Sequence, residues 1–302
     1  MIFERKGNRT MNKQSQPVNY GYTAMGHGRC DYEGFYGITE NMKYYGFHCH
    51  DFYEFYIHQQ GARYFGIDNE VYLLKPNELI VVPPFHMHGL ITEEPLIYYE
   101  RAFLYTSGGT LKLLGLQQID LIGLLTENAR NQRFLFSLSP EQAQTCAALM
   151  QAVQKNSEHT SPWDRFSDYS RILPFLQTVL EVIQTSAHVQ PGVSVQPVMQ
   201  QILIYINEHF TEPLTLADLS HRFGVSMSSL SHDFFRYIHH SVYDYILYRR
   251  VMYARQMMFD DESISDICYK CGFQNYSSFL RAFRKVTGIS PSAFRKKLAP
   301  KL

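Results

Sequence analysis

A chain of 302 residues, 45% hydrophobic and 19% charged, can bury two cores, so two domains are expected. It has no run of eighteen apolar residues and its opening MIFERKGNR lacks a signal-peptide core, which excludes a membrane-spanning helix and leads us to expect a cytoplasmic protein. The formal net charge is zero, but residues 249–302 hold 11 Lys+Arg against 4 Asp+Glu, so even charge, the condition that would exclude a nucleic-acid partner, does not hold. Residues 1–19 are polar without periodicity and are expected to form a disordered lead. From Tyr20 to about Tyr105 short runs rich in aromatic and β-branched residues follow: FYEFYIH, ARYFGI, VYLL, ELIVVP and LIYYERAFLY, punctuated by QQG, DNE and KPNE. This spacing predicts a small barrel or sandwich over residues 20–110.

One constellation sits inside that region. His48 and His50 form H-x-H, Glu54 and Gly61 follow, and Pro83 and His88 come later. If this segment is a strand, His48, His50, Phe52 and Glu54 share one face, and Cys49 points away. Cys49 and His86 are expected not to be ligands. The set is similar to the two cupin motifs, in which three histidines and a glutamate can bind a divalent metal. Asn77 and Phe85 stand where the second motif has glycines, and Thr92 stands where it has asparagine. Two alternatives stay open: a transition-metal site on His48, His50, Glu54 and His88, or a pocket in which the same four residues hydrogen-bond a small effector.

Between Gly109 and His188 the periodicity is helical. Ser139-Pro140-Glu141-Gln142 predicts a helix start, and the helix should run from Pro140 to about Asn156. A second should run from about Trp163 to Thr185, with Phe166, Ile172, Leu173, Leu176, Val179, Leu180 and Ile183 on its apolar side and Pro174 as a possible kink point. Residues 111–185 are therefore assigned to a helical extension. The run SAHVQPGVSVQP predicts a linker over 186–197.

Residues 198–298 carry two units of one grammar: a polar cap, a short helix, a glycine and a second helix. The first spans 215–238 around Gly224 and the second spans 263–287 around Gly272. Leu216, Leu219, Phe223, Leu230 and Phe234 form the apolar stripe of the first, and Ile264, Ile267, Phe273, Phe279 and Phe283 that of the second. The outward residues are Ser228, Ser231, His232 and Arg236 in the first unit, and Asn275, Tyr276, Ser277 and Arg281 in the second, with Lys285 placed to meet phosphate. Cys268 and Cys271 fall at i, i+3 with no second pair, which suits packed thiols better than a zinc or redox site. Five scattered cysteines are no disulfide framework either.

The run from Ile202 to Arg295 resembles the DNA-binding domain of AraC/XylS transcription regulators. The resemblance rests on Ile206, Leu214, Leu216, Leu219, Gly224, Ser226, Leu230, Phe234, Tyr245, Arg250 and Ala254, then on Ile264, Ile267, Gly272, Phe273, Ser277, Phe279, Arg281, Phe283, Gly288, Pro291 and Arg295. His239 stands where the family has a glycine, and Ser220 and Cys268 where it has alanines. The resemblance implies an α+β multidomain chain: an N-terminal cupin-like β-barrel with a helical extension, and a C-terminal all-α tandem helix-turn-helix domain. It implies a regulator that binds double-stranded DNA and answers to a small-molecule effector, carbohydrate being the class that family analogy offers, with no cofactor required. It further implies a homodimer through the helical extension, contact with RNA polymerase and no membrane partner. The alternative is a metal-dependent cupin enzyme with an appended DNA-binding module.

Overall fold

The computed structural model describes residues 31–42, 47–62, 64–68, 70–92, 95–116, 118–155, 161–186, 197–258 and 262–298. The expected lead, nearly all of the expected linker, Cys30, Tyr44 and Tyr45 lie outside these residues. The chain opens with β1 (Tyr32–Met42), β2 (Tyr53–Gln60), β3 (Tyr64–Ile67), β4 (Glu70–Leu73), β5 (Glu78–Val82), β6 (His88–Ile91) and β7 (Leu96–Thr106). There follow α1 (Gly108–Leu114), α2 (Leu121–Arg130), β8 (Leu135–Ser137), α3 (Pro140–Lys155) and α4 (Pro162–Thr185). Among the described residues the strands form two antiparallel sheets, ordered β1-β7-β2-β5-β8 and β4-β3-β6.

Side-chain alternation explains why the larger sheet has no exposed face at its centre. Phe55, Ile57, Leu79, Val81, Ala102 and Leu104 point to one side and pack on the helices α1 to α4. Tyr56, Ile80 and Val82 point to the other and meet Phe65, Ile67, Tyr72 and Leu90 of the smaller sheet. Gly34 lets α3 close on β1, since a Cβ there would come within 2.8 Å of Val153.

Several expectations are corrected. Residues 48–52 are not a strand: His48 makes one isolated bridge to His88, and β2 starts only at Tyr53. β1 and β6 were not anticipated, and β8 lies in a stretch expected to be helical. In α4, Phe166 and Leu173 are 70% and 44% exposed, because the buried stripe runs through Ile172, Phe175, Leu176, Val179, Val182 and Ile183. Leu173 is one residue past Ile172, which rotates it about 100° off that stripe. The helix continues through Pro174, while its start at a Ser161–Asp164 capping box is the local device that propensity rules expect.

The C-terminal half is helical: α5 (Pro197–His209), α6 (Leu216–Phe223), α7 (Met227–Ile238), α8 (Val242–Met257), α9 (Ile264–Lys270), α10 (Tyr276–Thr287) and α11 (Pro291–Leu298). Thr215 and Asp218 close a capping box on α6, and Gly224 ends that helix at φ +64°. Gly272 takes φ +84°, and any Cβ there would collide with the Thr211 carbonyl, so both conformation and space require glycine. Cys268 and Cys271 are buried thiols, and Cys271 Sγ packs 3.8 Å from Met257 Sδ. The two halves share one core, in which Phe47, Cys49, Met87 and Ile91 pack with residues of α5 to α11.

Candidate nucleic-acid interface and barrel site

The two second helices of the helix-turn-helix units present their polar faces outward. On α7, Leu230, Phe234, Tyr237 and Ile238 are buried, while Ser228, Ser231, His232 and Arg236 are exposed. On α10, Phe279, Ala282, Phe283 and Val286 are buried, while Tyr276, Ser277, Arg281, Arg284 and Lys285 are exposed. The helices differ in charge, since Asp233 sits beside His232 at 3.3 Å on α7 and α10 carries no acidic residue. Asn275 is the cap of α10: its Oδ1 accepts from Ser278 N at 2.8 Å. A bidentate contact to adenine requires that oxygen, so the expected role of Asn275 competes with holding the helix start.

The basic surplus of residues 249–302 is smaller on the surface than in the sequence. Arg250 donates to the carbonyls of Phe210 and Glu212 at 2.6 and 2.8 Å. Arg249 donates to Phe85 O at 3.3 Å, and Arg255 pairs with Asp51. Lys285 Nζ lies 3.1 Å from Asp244, and Lys270 lies 2.7 Å from Glu262. Arg281 donates to its own helix neighbour Ser278 at 3.3 Å and keeps its guanidinium on the exposed face.

In the barrel, the four residues singled out by spacing converge although they do not share a strand. One ligating atom from each of His48, His50, Glu54 and His88 lies within 4.8 Å of the others. Glu54 Oε2 is 3.0 Å from His50 Nε2 and 2.9 Å from His88 Nε2. Burial alone would raise the Glu54 carboxyl, but the hydrogen bonds and charges of His50 and His88 overturn this and hold it well below the usual range. Burial pushes the His50 imidazole down. Phe52 stacks on His50 with centroids 3.9 Å apart, and Tyr105 lies 5.7 Å from the same ring. Deeper in the barrel Tyr99 donates to Tyr56 at 2.9 Å, and burial drives His58 down to about 4.

Spacing did not reveal the contacts that join this site to the helices. Phe47 N donates to Ile238 O at 3.2 Å, satisfying a terminal carbonyl of α7, and His240 Nε2 donates to Phe47 O at 2.9 Å. Cys49 N donates to the Tyr248 hydroxyl at 3.1 Å, and that hydroxyl donates to Cys49 O at 2.6 Å. Asp68 accepts from His86 at 2.5 Å and lies 3.9 Å from Arg249. The three positions where the resembled motifs carry glycine keep a left-handed backbone without it: Asn77 at φ +66°, Phe85 at +69° and His239 at +59°. His239 uses its side chain there, donating from Nε2 to Thr92 O at 3.2 Å. No local spacing marks this seat, since each contact joins residues far apart in the chain.

A tandem helix-turn-helix domain seated on a barrel with a polar inner cluster defines a class: a transcription regulator that binds DNA through one half and a ligand through the other. The chain belongs to the AraC family of such regulators, matching the AraC-like ligand binding domain over residues 32–194 and the helix-turn-helix domain over residues 219–297. It is 23% identical to the uncharacterized HTH-type transcriptional regulator YdiP of Escherichia coli over 83% of this chain and 81% of that one. It is also 23% identical to YfiF of Bacillus subtilis over 87% and 83% of the two chains. Among solved structures it is similar to ToxT from Vibrio cholerae, at 14% identity over 90% of this chain and 100% of that one, with a TM-score of 0.36. These relatives give the enzyme alternative no support.

Proposed function

We propose that the protein acts as a cytoplasmic homodimer that reads paired DNA half-sites, with α10 making the main base contacts and α7 the weaker ones. The observation that carries this is the face of α10, which exposes Tyr276, Ser277, Arg281, Arg284 and Lys285 with no acidic residue on the helix, opposite a side buried through Phe279, Ala282, Phe283 and Val286. Arg281 is assigned to guanine, and Lys285 to phosphate once it releases Asp244. Ser228, Ser231, His232 and Arg236 are assigned to the second contact, with Asn275, Tyr276 and Ser277 flanking Arg281. Pairing is assigned to α4, where Trp163 and Phe166 are 80% and 70% exposed and, with Leu173, lie on one helix face. The proposed division is an effector-binding barrel at 20–110, a helical extension at 111–185, a linker at 186–197 and a DNA-binding domain at 198–298. His48, His50, Glu54 and His88 form the effector site, a carbohydrate being the class that the family resemblance offers, and RNA polymerase is the proposed downstream partner. Among the described residues no helix is long and apolar enough to cross a membrane.

The test is a footprint on duplexes selected from a random pool. Two protected segments per protomer, roughly 10 bp apart, are the expected result. A single short segment would remove α7 from the base-reading surface.

A further inference from the structure

The DNA-binding half carries a cleft of about 430 Å3 between α8 and α10, a volume within the range of small-ligand pockets. Helical spacing builds its two walls. Tyr243, Ile246, Leu247 and Arg250 recur at three and four residues along α8, and Ser278, Arg281, Ala282 and Lys285 do the same along α10. The rise of the helix makes the α8 wall about 10 Å long. Leu214 and Phe273 also line the cleft. Ile246, Phe273 and Ala282 are buried, so the floor is apolar, while Arg281 and Lys285 are exposed and Tyr243 is 71% exposed at the rim.

Charge narrows what this cleft can hold. Among the described residues its lining carries three cations, Arg250, Arg281 and Lys285, and no carboxylate. Arg250 is held by the carbonyls of Phe210 and Glu212, which fixes its charge in place. The other two are loosely engaged. Arg281 donates to Ser278 at 3.3 Å, and Lys285 lies 3.1 Å from Asp244 in an exposed ion pair, an interaction that contributes little and exchanges readily for another anion. Tyr243 and Phe273 add aromatic rings, whose faces suit a planar apolar body. A DNA strand crossing Arg281 and Lys285 presents charged phosphates, which an apolar floor cannot hydrogen-bond. A ligand with one charged end and one apolar end meets both the rim and the floor.

We propose that this cleft binds a small aromatic carboxylate, with its ring on Tyr243 and the apolar floor and its carboxylate on Arg281 and Lys285, and that the bound anion excludes DNA from α10. The site is separate from the barrel and gives the protein a second small-molecule input. The exclusion of DNA rests on the reading of α10 given above, whereas the binding of the anion stands without it.

The experiment titrates the full chain with 2-naphthoate, followed by its fluorescence, and with the neutral 2-naphthalenemethanol. One saturable site per chain is expected for 2-naphthoate, with the neutral alcohol roughly tenfold weaker. Tyr243→Ala and Lys285→Gln should each weaken 2-naphthoate by roughly three- to tenfold. Both side chains are exposed, and circular dichroism confirms that each variant is folded. No saturable binding by the folded wild type, or equal binding by both variants, would overturn the site. DNA competition uses duplexes selected from a random pool. At about ten times its Kd, 2-naphthoate should raise the protein concentration that half-saturates the duplex roughly tenfold. Tyr243→Ala should bind DNA like the wild type and respond less to 2-naphthoate. Loss of DNA affinity in Tyr243→Ala would show that the cleft holds the DNA strand itself, and DNA affinity indifferent to bound 2-naphthoate would overturn the exclusion. A chain that binds 2-naphthoate and no duplex refutes the regulator reading and spares the site; a chain that binds duplex and no 2-naphthoate does the reverse.

Discussion

The two reading helices are built alike and held differently. α10 ends at Gly288, φ +75°, where an added Cβ would meet nothing within 4 Å, and its outward face carries Arg281, Arg284 and Lys285. α7 ends at His239, which takes the same left-handed backbone at φ +59° but spends its side chain on Thr92 of the barrel. Its last carbonyl is bonded by Phe47, and the following His240 and Tyr248 grip Phe47 and Cys49. One unit is therefore the more basic, and the other is near neutral and hydrogen-bonded directly to the ligand-binding half; the second unit meets that half through Arg255, which pairs with Asp51 and lies over Phe294. A shift of the barrel segment is expected to move α7 first. DNA affinity should come mainly from α10, and control should act mainly through α7.

The largest expected difference is in base contacts. Arg281→Ala should weaken specific DNA binding by roughly 1–3 kcal/mol and relax one base position, whereas Arg236→Ala on α7 should do less. Equal losses in a binding titration would show that the two helices contribute alike. Next comes the anchor itself. Tyr248→Phe strips both the N–H and the C=O of buried Cys49 of their partner, at about 1–3 kcal/mol, and chemical denaturation should show that loss. A stability indistinguishable from wild type would mean that the seat contributes nothing. The smallest effect is expected for His239→Gly. Relief of the left-handed backbone, about 1 kcal/mol, is offset by loss of the bond to Thr92, about 1 kcal/mol. Stability should stay nearly level while amide exchange at 238–240 rises. Exchange that stays as slow as in wild type would show that the imidazole does not tie α7 down.

The helical half was the more legible from sequence because its signals are local. Thr215 with Asp218, and Gly224 with Ser226, mark the ends of α6 and the start of α7 within a few residues of each other. Ser139-Pro140 likewise places the start of α3, and the apolar pattern from about Trp163 places that of α4 to within a residue or two. β1, β6 and β8 escaped because strand existence depends on distant partners: β1 reads YEGFYGITENM, with two glycines and a polar end, and becomes a strand only by pairing with β7. The barrel cluster was found through spacing, yet the assumed reason, one shared strand face, is not how it forms. A bend at 48–52 and the bridge to His88 bring the four side chains together. The seat was invisible because each contact joins residues some 150 to 200 positions apart, such as Asp51 with Arg255, and no local pattern records such a pair.

The inequality of the two units is tested most directly by footprinting at single-nucleotide resolution with the wild type and the double variant Tyr248→Phe/His240→Ala. The account predicts that protection assigned to α10, mapped by its loss in Arg281→Ala, stays in place. Protection assigned to α7 should weaken or shift. Both segments unchanged, or both lost together in a folded protein, would contradict the claim that the barrel acts mainly on α7.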